Sequence, residues 1–358
     1  MRVALDTNSL YVTRAGTSRY VRGLLQGLRQ LQDPSLSVVE FAWPVENFEY
    51  AQPQRALKTA YRELVWARFV APRILAREQV DLLHRGTPAV PIQKPRGLPE
   101  IVTLPDLALL RHPERYRRWQ RRSARPRLER VKRAERIICI SQFTANEAME
   151  LLGLTAQRLE VVYLGNDFDP RGPLPNESSP ERKLPERFFL FVGSLEPGKN
   201  LALLKEVYRL AETRGLHLPP LAVIGARWVG VESEGAPPAN WHYLGHQSDS
   251  VLLWLYRRAI ALVFPSKYEG FGFPPLEAMS QGCPVICSRM ASLPEVGGDA
   301  ACYAESNPAA YLDAMLRMER DAGWREELIA KGLLQSANFS WRKCAEETFA
   351  LYRKTLAS

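Results

Sequence analysis

A chain of 358 residues is too long for one ordinary domain and suits two, each able to bury a substantial core. With 46% hydrophobic and 24% charged residues, and no apolar run approaching the eighteen of a membrane span, the composition is that of an ordinary water-soluble protein. The net charge of +9 is concentrated: 111–136 holds eleven Arg and one Lys against three Glu, which equals the whole excess and leaves the rest neutral. Cys139, Cys283, Cys287, Cys302 and Cys344 have no metal-ligand pairing with nearby His, so buried free thiols are expected, not a disulfide or a zinc site.

The opening Met1-Arg2-Val3-Ala4-Leu5-Asp6 runs straight into a strand pattern with no signal-peptide layout, and a cytoplasmic location is expected. After that strand over 2–6 comes a loop around Gly16-Thr17-Ser18. A helix over 19–31 comes next, whose Tyr20, Leu24, Leu25, Leu28 and Leu31 share one face. A strand is expected over 38–43, a helical stretch over 52–79, and a strand over 80–84. His84 at its end reads either as a hydrogen-bonded structural residue or, because parallel sheets place ligands at their carboxyl edge, as a ligand residue. Glu100–Leu104 is the next strand, succeeded by Pro105-Asp106.

The basic segment includes Tyr116 and Trp119 and reads as one or two helices broken near Pro126. A solvated face, a nucleic-acid surface and an anionic membrane surface all fit it. A strand over 136–141, a helix ending near Gly153 and a strand over 159–164 complete a first domain. Residues 168–187, with DPRGPLPNESSPERKLPER at their core, lack periodicity and read as a linker. A strand over 188–192 then runs into Gly193-Ser194-Leu195-Glu196-Pro197-Gly198-Lys199-Asn200 and a helix over 201–214. A Lys at a helix start opposes the dipole, so Lys199 calls for an anion, and a departing pyrophosphate suits it. Strands over 221–225 and 241–245 and a helix over 251–258 come after it.

The densest stretch is Lys267 to Ile286, KYEGFGFPPLEAMSQGCPVI. The apolar run 259–264 reads as a strand buried on both faces, delivering the glycine loop to the sheet's carboxyl edge. Gly270 and Gly272 leave room for a ligand against the backbone, and Pro274-Pro275 suits a helix's first turn. Amide groups near Phe271 to Phe273 and Leu276 would then face outward, a seat for a diphosphate. Glu269 and Glu277 bracket that seat; as acceptors only, they suit hydroxyl donors such as ribose and a hexose. Beyond it, 284–288 is a strand, Ser292–Val296 a capped helix start, and 308–358 helical with a break around 338–341.

The Glu269 to Glu277 spacing, with Pro265-Ser266 and Pro284-Val285-Ile286 beside it, resembles the retaining glycosyltransferases of family 4, and the resemblance runs from residue 1 to about 355. It implies the α/β GT-B fold: two doubly wound Rossmann-like domains facing a cleft. These would be an acceptor-side domain 1–167, the linker 168–187 and a nucleotide-sugar domain 188–341, with helix 342–358 packing back on the first and Trp341 anchoring that crossing. It also implies transfer of a hexose, mannose in similar bacterial members, from a nucleoside diphosphate sugar to a saccharide or lipid-linked acceptor with retention. No metal or other cofactor is expected, nor nucleic acid. The donor would be bound by Gly16, Ser194, Gly225, His246, Gly270, Phe271, Gly272, Phe273 and Glu277, with Glu269 on the transferred sugar, Lys199 on the diphosphate and Asp106 and His84 on the acceptor side. Lipid-linked acceptors favour an anionic membrane surface, on the inner face, as the partner of Arg111–Arg136. Two departures stand out: Pro105 occupies a position where many relatives have His, and Gly198 one where they have Arg. They motivate a non-catalytic GT-B binding or partner subunit as an alternative, beside a nucleotide-sugar epimerase.

Overall fold

The computed structural model describes residues 1–13, 16–48, 54–166, 168, 180, 184–226 and 238–357. The chain divides into two units, 1–165 with 339–358 and 166–338. Most of the expected linker, 168–187, lies outside the described residues. The first unit contains β1 (Arg2–Asp6), α1 (Ser9–Val12), α2 (Gly16–Gln30), β2 (Ser37–Phe41), α3 (Gln54–Ala60), a π-helical stretch Tyr61–Val70, α4 (Ala71–Arg77), β3 (Leu82–Arg85), β4 (Glu100–Leu104), α5 (Ala108–Arg111), α6 (Arg118–Val131), β5 (Arg136–Cys139), α7 (Gln142–Leu152) and β6 (Leu159–Val161). The second contains β7 (Phe189–Val192), α8 (Leu201–Thr213), β8 (Leu221–Ile224), β9 (Trp241–Gly245), α9 (Asp249–Arg258), β10 (Leu262–Phe264), α10 (Phe273–Ser280), β11 (Val285–Cys287), α11 (Leu293–Gly297), β12 (Ala301–Tyr303), α12 (Pro308–Arg320) and α13 (Ala322–Ser336). The last helix, α14 (Trp341–Leu356), belongs to the first unit.

Among the described residues, each unit is built on one six-stranded, all-parallel sheet. The first has the order β2-β1-β3-β4-β5-β6 and the second β12-β11-β10-β7-β8-β9. Strands buried on both faces need helices on both, and alternate residues serve the two sides. Leu83 joins the cluster of Phe41, Trp66, Ala67 and Leu75, while His84, next along β3, meets α14. In the second unit Phe189, Phe191, Val223 and Val263 pack with Leu204, Val207 and Met315.

The helix α14 seats on α2 through two missing side chains. A Cβ on Gly23 would lie 2.1 Å from the Trp341 ring, and one on Gly27 would lie 2.4 Å from the Trp341 carbonyl oxygen. Trp341 therefore anchors the return of the chain at the break expected over 338–341. All five cysteines are free, and Cys139, Cys283, Cys287 and Cys344 are buried.

Several elements depart from the sequence expectation. Pro126 does not break α6, which runs through it: the proline ring is exposed, so the amide it lacks is missing on the solvent side. The segment 54–77 is helical, yet ten of its residues wind as a π-helix. No strand pattern precedes β12, whose three residues are too few to show a period. The segment 308–356 breaks at Asp321 as well as near 338, because the Asp321 carboxylate accepts from Trp324 N at 3.0 Å and starts a new helix.

Candidate functional site

In the second unit, the strands on either side of β7 connect to it in opposite directions along the sheet, toward β8 and toward β10. The loops leaving β7 and β10 therefore meet at a topological switch point, where doubly wound sheets receive ligands at the carboxyl edge. The two loops are 193–200 and 265–272, the stretches singled out by sequence.

A serine framework joins them. Gly198 O accepts from Lys267 N at 2.8 Å and from Ser266 Oγ at 3.3 Å, and Ser288 Oγ donates to Ser266 O at 2.5 Å. Ser292, expected to cap α11, makes no side-chain cap there; its hydroxyl points to Glu269 O at 2.9 Å and Phe271 O at 2.7 Å. Each of these hydroxyls is buried and holds loop backbone, so the loop conformation is set before any ligand arrives. Gly272, at φ 115°, begins α10 in a conformation other residues rarely adopt. Phe271 and Phe273 pack edge to face at 5.6 Å.

Within this framework Lys199 Nζ lies 2.5 Å from Glu269 Oε1, with the two side chains 18% and 12% exposed. Lys199 closes a single 3-10 turn, Pro197–Lys199, and Asn200 at φ 58° passes the chain into α8. The ammonium also stands 5.5 Å over the Phe264 ring. The cation assigned to a diphosphate and the carboxylate assigned to a sugar are thus each other's partners.

Glu277 is buried in the second turn of α10, not the first, so the helix dipole does not account for it. Its Oε2 accepts from Tyr256 OH of α9 at 2.8 Å. Nothing in the sequence pattern singles out Tyr256 or Ser288, whose partners are distant along the chain. Leu276 N, expected to face outward, donates to Gly272 O at 3.3 Å and is an ordinary helical amide.

Beside the switch point, Gly225 has φ 141°, and a Cβ on it would lie 1.8 Å from Gly193 O. Only a glycine lets β7 and β8 end so close together. Gly225 N donates to Gly245 O at 2.9 Å, which brings the turn after β9 alongside. Ser194 is half-buried in the first loop and His246 exposed in the turn. Lys199, Glu269, 270–273, Ser194 and Gly225 are thus gathered at one sheet edge.

Gly16, His84 and Asp106 belong to the first unit. Gly16 is the exposed first residue of α2. Asp106 is exposed and its Oδ1 accepts from Ala108 N at 3.0 Å, turning the chain into α5. His84 is fully buried, with Nδ1 2.6 Å from Tyr352 OH and Nε2 2.8 Å from Thr103 Oγ1, which in turn lies 2.8 Å from Tyr20 OH. Both ring nitrogens are engaged within the unit, so the structural alternative describes His84 and the acceptor-side assignment does not. Burial pushes its imidazole down to about 3 and keeps it neutral. Nearby, burial raises Asp6 to about 6, against the bonds it accepts from Asn8 and the fields of Arg85 and Arg62.

Comparison with known proteins agrees with this architecture. The family model for Glycosyltransferase Family 4 matches residues 14–169 and that for Glycosyl transferases group 1 matches residues 176–334. The O-antigen chain mannosyltransferase B of Escherichia coli is 34% identical over 267 residues, covering 71% of this chain and 70% of that protein. Sucrose-phosphate synthase from Thermosynechococcus elongatus superimposes with a TM-score of 0.74 at 19% identity, covering 100% of this chain and 99% of that one. Anabaena Alr3699/HepE, solved in complex with UDP and glucose, gives 0.66 at 16% identity, with 99% and 100% covered. This chain belongs to the glycosyltransferases of the GT-B fold.

Proposed function

We propose that this glycosyltransferase moves a hexose, mannose, from a nucleoside diphosphate sugar to a saccharide or lipid-linked acceptor, with retention at the anomeric carbon. The observation that carries the proposal is the meeting of Lys199 and Glu269 beside the glycine loop and the start of α10, at the switch point of the second unit. The mannosyltransferase relative and the neighbour holding UDP and glucose support the choice of sugar and of donor class. In this reading the diphosphate takes Lys199 and the amides of 271–273, and no metal is required for that charge. Glu269, released from Lys199, accepts from the hexose hydroxyls. Glu277 accepts from the ribose, and Ser194, Gly225 and His246 wall the base. Gly16 is kept as a donor contact and Asp106 on the acceptor side; His84, with both ring nitrogens engaged inside the first unit, is not carried forward.

The acceptor oxygen forms its bond to the anomeric carbon on the face from which the diphosphate oxygen leaves. The acceptor's proton passes to that departing oxygen. Purified protein incubated with a panel of nucleoside diphosphate hexoses and mixed saccharide acceptors tests this, with the product's anomeric configuration read by NMR. Retention in a mannosylated product is the expected result. An inverted product removes the retaining course, conversion of the donor alone favours an epimerase, and nucleotide binding without turnover favours a non-catalytic subunit.

A further inference from the structure

The two glutamates of the site are held by different kinds of partner. Glu269 faces Lys199, a cation that a ligand's own charge can draw away. Glu277 accepts from the Tyr256 hydroxyl at 2.8 Å, and neither residue can leave that contact for water, since Tyr256 is 0% and Glu277 1% exposed. The two stand on helices that flank one strand in sequence, α9 leading into β10 and α10 leaving it. Phe168 encloses the Tyr256 ring further, with ring centres 6.3 Å apart and planes at 57°. A phenol oxygen lies in line with its ring, so packing that fixes the ring fixes the donor, and the donor fixes the rotation of the carboxylate that receives it. The tie is not needed to join the helices. Arg257 Nε already donates to Gln281 Oε1 at 2.9 Å at the far end of α10, and an apolar pair in place of Tyr256 and Glu277 would bury the same seam without taking a charge out of water. A carboxylate kept there despite that penalty is kept for what it accepts. The choice of a phenol fits the same purpose. It donates one hydrogen bond without cancelling the negative charge, so bonds from ligand hydroxyls to that carboxylate are of the stronger, charge-assisted kind.

We propose that Tyr256 is the positioning residue for the donor's ribose: acting through Glu277, it sets the protein's preference for a nucleotide that bears the 2′ and 3′ hydroxyls. The proposal rests on the reading of Glu277 as the ribose acceptor and adds to it the group that aims the carboxylate.

Calorimetric titration of the full chain with UDP and GDP, each beside its 2′,3′-dideoxy form, tests the two and separates them. The parent is expected to bind the tighter ribonucleotide about tenfold to a hundredfold better than its dideoxy form. Tyr256→Phe keeps the ring and removes only the hydroxyl; it should weaken the ribonucleotide about tenfold and leave the dideoxy form's affinity unchanged. On a Glu277→Gln background the same change should add nothing, because the two residues act as one unit. Arg257→Ala, which cuts the other tie between the helices, should keep the parent's preference in full. A parent without the preference removes the ribose reading and this proposal with it. A preference lost in Glu277→Gln but kept in Tyr256→Phe overturns the proposal and leaves that reading standing. So does equal weakening of both nucleotides by Tyr256→Phe, or loss of the preference in Arg257→Ala, since either makes the contact a matter of helix packing.

Discussion

Lys199 and Glu269 hold each other at 2.5 Å, so a diphosphate that takes the ammonium must first part them. On the proposed assignment the three charged residues of the second unit separate by what they disturb. Lys199→Ala lowers kcat about 10²- to 10³-fold, as loss of a group facing developing charge does. Glu277→Gln weakens nucleoside diphosphate binding about tenfold to a hundredfold, the range for a hydrogen bond to a charged group. Glu269→Ala leaves that binding intact and removes transfer. Calorimetric titration with the nucleotide, set beside turnover, distinguishes the three; unchanged affinity and turnover in both glutamate variants would discard the assignment. His84 gives a prediction about pH. It stays neutral in the fold down to about 3, whereas the unfolded chain takes up its proton near 6.5. Its contribution is therefore whole above about 6.5 and drains as pH falls, by up to about 1.4 kcal/mol per unit. Asp6, raised to about 6 from 3.8, runs the opposite way: stability falls as pH rises through that window. The two slopes oppose each other between about pH 4 and 6. His84→Gln removes one of them, so the stability gap between parent and variant in urea unfolding should narrow steadily from pH 7 to pH 4. A gap that does not change with pH sinks this account.

At the scale of elements, the seating of α14 on α2 is decided by two glycines. Gly23→Ala places a methyl inside the Trp341 ring, and the overpacking should cost about 1–3 kcal/mol. Trp341→Ala empties the same contact and should cost about 3–5 kcal/mol. Thermal denaturation followed by circular dichroism checks both; a melting temperature unaltered by Gly23→Ala would mean the helices part without cost. The strands and most helices were legible in sequence because a doubly covered parallel sheet writes each strand as an apolar run, and Asn, Asp and Ser write the helix starts. Pro126 misled because a proline on the wet side of a helix removes little, which its neighbours in sequence do not reveal. The π-helical winding has no signature of its own, and β12 is shorter than a period.

At the scale of the molecule, the candidate site was legible to the extent that it is local. Glu269 to Glu277 and 193–200 each lie in one loop and helix, and the strand order brings the two loops together. What sequence leaves out is long-range: Tyr352 meets His84 across 268 residues, and Tyr256 meets Glu277 from another helix. That same reach predicts the behaviour of a shortened chain. Residues 1–338 lack α14 and uncover the groove of Gly23 and Gly27, with His84 left facing water on one side. The first unit should then lose its cooperative melting and become sensitive to protease while 184–338 stays resistant. Equal resistance in both halves would refute the dependence.

Because α14 follows the second unit along the chain yet completes the unit formed by residues 1–165, the order of synthesis is not the order of folding. A nascent polypeptide leaving the ribosome exposes the first unit's 1–165 before the rest and must keep that unit unfinished until 339–358 emerge. The later half, self-contained between 166 and 338, settles before it.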